Sequence, residues 1–199
     1  MHDRDAEPGA AGVRGTDSLI ERARGGDRDA LGELWSIHQH LLLRFLRGVG
    51  CPSPDDIASI VWLEVAQGLD GFDGDLDRFR GWLFTIARRR SIDDLRRRTR
   101  RGEASFDSVP QPAAADDVAE TVERATALER AIALVRTLPS DQAEIVLLRV
   151  VADLDVADVA RIVGKSEGNV RVIVHRALKK LAEGLRVTET DTPTMDRVP

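Results

Sequence analysis

The sequence predicts an all-α protein with two small helical domains, a flexible acidic linker between them and a helix-turn-helix in the second domain. Aromatic residues make up 4% of the chain, tyrosine is absent, and the alternating apolar pattern of strands is hard to find. Apolar residues instead recur at spacings of three and four between glycine and proline breaks, which is typical of helices with one buried face. A stretch of small residues, prolines and acids separates these segments into two groups, which predicts two domains.

Composition excludes several classes of protein. Apolar residues are 42% of the chain, enough to form a core, and 32% of the residues are charged. Cys51 is the only cysteine, which excludes an intramolecular disulfide and a multi-cysteine zinc site. The N-terminus lacks the apolar segment of a signal peptide, and no apolar run approaches the roughly 18 residues of a membrane span. We therefore expect a cytoplasmic protein without a membrane partner.

The sequence has no pattern of catalytic residues. It contains no nucleophile-base pattern, glycine-rich phosphate loop or carboxylate dyad. His38 and His40 are two residues apart on a predicted helix, so they face different directions and do not form a metal site. We expect no enzymatic activity, no metal and no cofactor.

The first domain is predicted at residues 16–101, after a disordered tail at 1–15. Asp17, Asp27 and Ser53 are the predicted helix N-caps, and Pro54 stands at a first helical position. The predicted elements are helices at 17–24, 27–47 and 53–67, a glycine- and aspartate-rich loop at 68–77, and a helix from about 78 to 101.

Two helices of this domain have unusual apolar patterns. Residues 57–65 are apolar on most sides, so we expect this helix to be buried or to be covered by a partner. We expect Trp35 and Trp82 to lie in the core rather than to form stacking surfaces. The inner stripe predicted for the last helix is Phe79, Trp82, Leu83, Ile86, Ile92 and Leu95.

A cluster of arginines occupies the C-terminal half of that last helix. Between Arg88 and Arg101, eight arginines against two aspartates leave a net charge of +6, in a chain whose formal net charge is -5. Pairs such as Arg89–Asp93 stabilise an exposed helix by only about 0.2–0.5 kcal/mol each. Two acids cannot neutralise this cluster, which indicates an anionic partner, either nucleic acid phosphates or an acidic protein.

The second domain is predicted at residues 120–185, after a linker at 102–119 and before a disordered tail at 186–199. Its predicted helices are 120–137, 140–151, 155–163 and 167–183. The last two have the layout of a helix-turn-helix, with Gly164 in the turn and Ser166 as the N-cap. Val170, Val174, Ala177 and Leu181 form the predicted buried stripe of the last helix.

The opposite face of this last helix is basic. From Lys165 to Lys180, five lysines and arginines against Glu167 give a local charge of +4. The pattern predicts a helix that enters a major groove, and the alternative is an ordinary helical hairpin with a solvated basic face. The candidate DNA-binding residues here are Lys165, Ser166, Asn169, Arg171, His175 and Arg176.

Three segments together resemble one protein family. They are DDIASIVWLEV at 55–65, FRGWLFTIARRRSIDDLRRR at 79–98, and the helical region at 138–181 that contains VADVARIVGKSEGNVRVIVHRALKKL. In this order they resemble the extracytoplasmic-function (ECF) sigma factors, the smallest initiation factors of the sigma-70 family of bacterial RNA polymerase. The resemblance covers about residues 17–183.

The resemblance implies a role for each segment. Asp56, Trp62 and Glu64 would contact core RNA polymerase at the β′ clamp helices, and the β subunit would be a further partner. The loop at 68–77 would hold a flipped base of the −10 promoter element, and the helix-turn-helix would read the −35 element. The residues that would contact −10 promoter DNA are Arg88, Arg89, Arg90, Arg96 and Arg97. An anti-sigma factor is a further candidate partner.

The sequence departs from the family at two places. Members commonly carry glutamine near Ser59, and polar residues where this chain has Val172 and Ile173. Either the −35 element differs, with contacts to thymine methyl groups, or these two residues serve a protein partner. The rival functions are a helix-turn-helix regulator that is not a polymerase subunit and a protein-interaction adaptor. A simple regulator does not need strand opening, and an adaptor leaves both basic surfaces unexplained.

Overall fold

The computed structural model describes residues 19–101 and 130–190, with side chains up to residue 183, and every regular element in these ranges is helical. The described residues form two compact units, one containing residues 19–46 and 51–101 and the other containing 130–190. The predicted all-α fold is confirmed. The elements are α1 (residues 19–24), α2 (Arg28–Gly48), α3 (Pro54–Gly68), a 3₁₀ turn (Leu69–Gly71), α4 (Leu76–Arg100), α5 (residues 130–136), α6 (Ser140–Val150), α7 (Val156–Val163) and α8 (Glu167–Thr190).

Several predictions fall outside these ranges. They concern the tail at 1–15, the Asp17 cap, the linker at 102–119, the start of the helix at 120–137 and the last part of the tail at 186–199. Within the described helices, no segment combines the length and the apolar character needed to cross a bilayer.

The core of the first unit lies among α2, α3 and α4. Two edge-to-face ring pairs join α2 to α4, His38 with Phe79 and Phe45 with Phe84, each at 5.4 Å between ring centroids. The Trp62 indole N–H of α3 donates to Oε1 of Gln39 on α2 at 2.7 Å. The fully buried side chains that fill this core include Leu34, Leu42, Leu46, Val61, Val65 and Leu83.

Two carboxylates cap helices of the first unit. Oδ1 of Asp27 accepts hydrogen bonds from the backbone N–H of Asp29 and of Ala30, at 2.9 and 3.1 Å. Asp75 accepts in the same way from the Arg78 N–H at 2.8 Å, so α4 begins at Leu76, inside the segment predicted as a loop. The Asp27 cap is confirmed, and the start of α4 near residue 78 was wrong because Asp75 closes the first turn earlier.

Ser53 occupies the N-cap position of α3 without acting as a side-chain cap. Pro54 stands in the first turn, as predicted, but the Ser53 hydroxyl makes no capping hydrogen bond. It accepts a hydrogen bond from Arg98 Nη2 on α4 at 2.7 Å instead. The start of α3 therefore depends on Pro54 and the acids Asp55 and Asp56 more than on a serine cap.

Two apolar residues predicted inside this unit lie on its surface. Trp35 is 47% exposed because it follows the buried Leu34 and falls outside the stripe of α2 that faces the core. Leu95 is 52% exposed, whereas Asp94 beside it is buried. The inner stripe of α4 thus does not continue to Leu95, because α4 turns Asp94 inward there.

In the second unit, α8 packs against both α6 and α7. A buried cluster joins Leu138, Ala143 and Val146 to Ala177 of α8, and Leu181 packs against it. Gly164 ends α7 with a left-handed backbone (φ 69°, ψ 36°), as the helix-turn-helix pattern predicted. The last helix continues to Thr190 rather than ending near 183, since no proline interrupts the chain before Pro193.

Cys51 lies in the connection between α2 and α3 and is 8% exposed. Burial raises the pKa of the Cys51 thiol, while a backbone hydrogen bond from Ser53 opposes the shift. The thiol therefore stays protonated at neutral pH.

Candidate nucleic-acid interface

Helix α4 carries a basic surface along its C-terminal half. Arg89, Arg96 and Arg97 are exposed, while Arg88 and Arg90 are partly buried. We call these five predicted DNA-binding residues the α4 arginines. Because successive residues of a helix turn by about 100°, they spread around more than one face of α4.

Two of the α4 arginines meet a carboxylate of α3. Arg89 and Arg90 both form ion pairs with Glu64, whose side chain is only 17% exposed. A partly buried carboxylate that bridges two guanidinium groups reduces their mutual repulsion and restricts their rotamers. Sequence analysis assigned Glu64 to the polymerase and missed this contact. The available signal was one acid among the apolar residues 57–65, in a chain with an arginine run.

Farther along α4, a second carboxylate orders another arginine. Oδ2 of buried Asp94 accepts from Arg98 Nε at 2.8 Å, and Arg98 also donates to Ser53. Arg98 therefore holds α4 against the start of α3. Near the end of α4, Asp93, Arg97, Arg100 and Arg101 line an open cavity of about 430 Å³ with a strongly positive rim.

The segment that precedes α4 is ordered by aromatic packing. It starts with the 3₁₀ turn Leu69–Gly71, in which Leu69 is buried. Phe72 then stacks on Trp82, with ring centroids 5.1 Å apart and planes 21° apart, and meets Phe79 edge to face at 5.9 Å. Trp82 is therefore partly buried against Phe72, as its predicted core position requires.

Helix α3 presents polar and apolar side chains on its outer side. Asp56 is exposed, and Trp62 is partly buried with its N–H held by Gln39. Ile60 and Leu63 are exposed apolar side chains in the same helix. The sequence predicted that residues 57–65 would be buried or covered by a partner, and α3 has both a buried side and an exposed apolar side.

The α7–α8 pair has the geometry of a helix-turn-helix. The backbone N–H groups of Gly164 and Lys165 both donate to the Ala160 carbonyl, which closes the turn. Ser166 Oγ then accepts from the Asn169 N–H at 3.3 Å, as predicted for the cap of α8. Of the inward stripe, Val170 and Ala177 are buried and Val174 and Leu181 partly so.

The predicted DNA-binding residues of this unit lie on the outer side. Ser166, Asn169, Arg171, His175 and Arg176 are exposed. Lys165 is partly buried, and its Nζ lies 3.6 Å from Asp141 Oδ2. Arg171 Nη2 lies 2.6 Å from Glu167 Oε2, one turn earlier on α8. Six side chains able to contact phosphates or base edges are thus grouped around the N-terminal half of α8.

The two apolar positions in this half of α8 are not equivalent. Val172 is 46% exposed. Ile173 is partly buried beside the inward stripe. Only Val172 therefore presents an apolar surface on the outer side.

Comparison with known proteins shows which family combines these two units. The family model of sigma-70 region 2 matches residues 34–101, and that of sigma-70 region 4 matches residues 128–181. The ECF RNA polymerase sigma factor SigD of Mycobacterium tuberculosis is 32% identical over 174 residues, which are 84% of this chain and 82% of SigD. The chain belongs to the ECF family of RNA polymerase sigma factors. The rival function, a helix-turn-helix regulator outside the polymerase, is not favoured.

Two further relatives are also ECF RNA polymerase sigma factors. The sigma factor ShbA of Streptomyces griseus is 31% identical over 176 residues, covering 82% of this chain and 92% of ShbA. BldN of Streptomyces coelicolor is 31% identical over 171 residues, and that match covers 82% of this sigma factor but only 63% of BldN.

Solved structures support the fold. CnrH, solved in complex with the cytosolic domain of CnrY, matches with a TM-score of 0.62 at 23% identity, over 86% of this chain and 97% of CnrH. The sigma factor RpoE of Bartonella quintana, crystallised with the anti-sigma factor NepR, matches with a TM-score of 0.58 at 23% identity, over 78% of this chain and 98% of RpoE.

Proposed function

We propose that this sigma factor brings core RNA polymerase to promoters, opens the −10 element with α4 and reads the −35 element with α8. The observation that carries the proposal is that a member of this family presents two exposed basic surfaces on two separately folded helical units, while the whole chain is acidic. A net charge of -5 limits non-specific attachment to DNA, so binding depends on the two local surfaces acting together. The role is promoter recognition rather than catalysis.

At the −10 element, the α4 arginines would bind the phosphates of the strand that leaves the duplex. Strand opening needs a basic path for the backbone and pockets for unstacked bases. Glu64 holds Arg89 and Arg90 in a restricted geometry before DNA arrives, which lowers the entropy lost on binding. Arg96 and Arg97 are exposed and would extend the path along α4. The segment at 68–77 would receive the flipped base.

The polymerase would dock on α3. Asp56 is exposed and can meet a basic group of the β′ clamp helices, and Ile60 and Leu63 supply apolar surface beside it. Trp62 contributes the part of its ring that remains accessible. Glu64 stays among the proposed polymerase contacts, but its bonds to Arg89 and Arg90 make it a link between the polymerase surface and the DNA surface.

At the −35 element, α8 would lie in the major groove. Its N-terminal residues Asn169 and Arg171 can reach base edges, while Lys165, His175 and Arg176 are placed to contact phosphates. Ser166 is tied to its role as the cap of α8 and would contribute mainly by orienting the helix.

An anti-sigma factor is proposed as a further partner. RpoE was crystallised with the anti-sigma factor NepR, CnrH was solved with the cytosolic domain of CnrY, and both share the fold of this chain. The exposed apolar residues of α3 and the basic surfaces would be the targets of such an inhibitor. Affinity capture of the full chain from the source cell should recover one small protein in addition to polymerase. Recovery of polymerase alone would contradict this part of the proposal.

Run-off transcription tests the proposed function. Core RNA polymerase with the full chain should give discrete promoter-dependent products from a library of genomic fragments, whereas core polymerase alone should not. The absence of such a product from every fragment would contradict the proposal.

Replacement of Arg88, Arg89 and Arg90 by alanine should abolish open-complex formation and leave binding to core polymerase intact. The physical reason is that the variant loses positive charge along the proposed strand path but keeps Asp56 and the apolar surface of α3. Permanganate footprinting would measure opening, and co-migration on gel filtration would measure core binding. A variant with Arg24 and Arg28 replaced by alanine is the control, since both are exposed in the same unit. Urea denaturation checks that the triple variant, in which Glu64 has lost both partners, is still folded. Loss of core binding by a folded triple variant would assign these arginines to the polymerase instead.

A further inference from the structure

The outer face of α8 has an apolar centre. With about 100° between successive residues, Val172 lies almost opposite the buried stripe of Val170, Val174 and Ala177. Asn169 and Arg176 lie on one side of Val172 and His175 on the other, and all three are exposed. A valine that is 46% exposed therefore stands in the middle of the face that the polar side chains surround.

Gly168 lies one turn before Val172 on the same face. It has a helical backbone, and a Cβ added there would meet no heavy atom within 4 Å. Gly168 is the second residue of α8, and neither a positive φ nor a close contact requires a glycine at this position. The missing side chain leaves a shallow notch beside Val172, where another molecule can approach the helix closely. We call Gly168 and Val172 the α8 notch.

The chemistry around the notch selects its occupant. An apolar surface ringed by cationic and amide side chains fits an apolar group that is itself surrounded by phosphates and hydrogen-bonding edges. In the major groove, the 5-methyl group of thymine is the apolar feature of the base-pair edges. Arg176 and Lys179 are exposed on the outer face of α8, one on each side of Val172, so they can contact phosphates while Val172 contacts the base.

We propose that the α8 notch receives the 5-methyl group of one thymine in the −35 element, which makes Val172 a specificity-determining residue. Ile173 has no such role, because it is partly buried beside the inward stripe. This inference rests on the proposed function, and it specifies which base of the −35 element Val172 recognises. It assigns to Val172 a contact with DNA rather than with a protein partner.

The experiment starts from DNA selected by the protein itself. The full chain bound to core RNA polymerase is used to select duplexes from a randomised library, and the preferred −35 sequence is read from the retained DNA. Each thymine of that sequence is then replaced by uracil, one at a time, which removes only the methyl group. Equilibrium binding is measured by fluorescence anisotropy for each duplex.

The expected result is a loss of about fourfold in affinity at one thymine, the change that corresponds to one methyl group no longer buried. The variant Val172→Ser should bind the thymine and uracil duplexes equally. Leu178→Ser is the matched control: Leu178 is 43% exposed on α8 but lies away from the notch, so this variant should keep the wild-type preference for thymine.

Gly168→Ala separates folding from recognition. Alanine should raise the thermal stability of the chain, because it favours the helix, and should weaken the preference for thymine, because its methyl group fills the notch. A merely structural glycine would lose stability on the same substitution.

The outcomes distinguish failure of the proposed function from failure of the role given to Val172. If selection yields no preferred sequence, the proposed function fails, and this inference fails with it. If a preferred sequence is found but no thymine is sensitive to uracil, or Val172→Ser keeps the sensitivity, the −35 function stands and the role of Val172 is overturned. Sensitivity that is lost in Val172→Ser and kept in Leu178→Ser supports the inference.

Discussion

At the scale of single residues, Glu64 is the side chain whose surroundings differ most from what the sequence suggested. Its carboxylate is mostly buried and bridges Arg89 and Arg90 of the neighbouring helix. A charge removed from water in this way is stabilised only while its partners remain. A neutral residue in place of Glu64 therefore leaves two guanidinium groups facing each other without an intervening anion.

Glu64→Gln should lower the free energy of unfolding of the first unit by about 1.5–3 kcal/mol, the range expected for hydrogen bonds to charged groups. Urea denaturation followed by tryptophan fluorescence measures this directly, because all three tryptophans of the chain, Trp35, Trp62 and Trp82, lie in the first unit. Glu33→Gln is the control, since its pair with Arg22 at 3.7 Å is exposed and should contribute well under 1 kcal/mol. Equal effects of the two substitutions would contradict the role given to Glu64.

His38 is a fully buried titratable group in the same unit. Its Nδ1 lies 2.8 Å from the Leu34 carbonyl, which can only accept, so this nitrogen carries the proton. Nε2 has no hydrogen-bond partner within the described residues. Burial lowers the pKa of His38, the Leu34 carbonyl opposes the shift, and the charges of Arg80 and His40 add to it. The folded protein therefore holds this ring neutral.

His38 should make the first unit less stable in mild acid. Because the unfolded chain takes up this proton near pH 6.5 and the folded protein only at lower pH, stability is full above about pH 7 and falls as the pH drops below about 6.5. The slope of the unfolding free energy against pH should reach at most about 1.4 kcal/mol per pH unit. This slope should be smaller in His38→Leu. Denaturation curves between pH 7.5 and pH 5.5 would check this, a window of about one unit on either side of the free histidine pKa. His40→Gln is the control: it removes only the smallest cause of the His38 shift, at an exposed position of the same helix, and should keep most of the wild-type slope.

At the scale of helices, the sequence predicted those elements whose signals are local. The Asp27 cap, the Gly164 turn and the Ser166 cap all lie where spacing and residue type placed them. Predictions that depended on which side of a helix meets the core were less successful. Leu95 follows the apolar pattern of α4 but is exposed, because Asp94 turns inward and binds Arg98. A pairing across 45 positions, such as Arg98 with Ser53, has no local signature.

The same limit applies to the candidate site. The two basic surfaces were evident from the sequence, since a cluster of charges can be seen without the tertiary structure. The ion pairs within the α4 surface could not be predicted, because Glu64 and Arg89 are 25 positions apart in the sequence. Whether Val172 or Ile173 faces outward was also undecided until the packing of α8 was known.

Gly164 should be required for the turn between α7 and α8. Gly164→Ala should destabilise the second unit by about 1–2 kcal/mol, because a Cβ is disfavoured at φ 69°, and no steric clash adds to this cost since the space around it is open. Gly164→Asn should cost less, as asparagine tolerates this conformation. Far-UV circular dichroism should monitor unfolding, because this unit contains no tryptophan. Equal stability of all three proteins would contradict the argument.

At the scale of the whole molecule, charge is distributed unevenly. The chain has 34 acidic and 29 basic residues, yet the segment from Arg88 to Arg101, at the C-terminal end of α4, carries a charge of +6. An acidic body around basic patches repels DNA at long range and attracts it only in the correct orientation. Affinity for promoter DNA should consequently depend strongly on salt.

Replacement of Arg96 and Arg97 by alanine should reduce the salt dependence of promoter binding by the polymerase complex. Removing one arginine–phosphate interaction should lower the slope of log K against log salt by about 0.9, so this double variant should reduce the slope by up to about 2. Titrations at several potassium chloride concentrations would measure the slope. Val172→Ser serves as the comparison, because it removes no charge and should leave the slope unchanged. An unchanged slope in the arginine variant would place Arg96 and Arg97 away from the phosphates.

The single thiol gives the first unit a built-in reporter. Only the thiolate of a cysteine reacts rapidly, and Cys51 is both protonated and shielded from reagents where α2 passes into α3. Alkylation of the unmodified protein therefore proceeds through transient opening of that connection. The alkylation rate can be compared in the presence and absence of polymerase without any attached label. A slower rate would show that binding of polymerase to α3 makes opening of this connection rarer, and a faster rate that it makes opening more frequent.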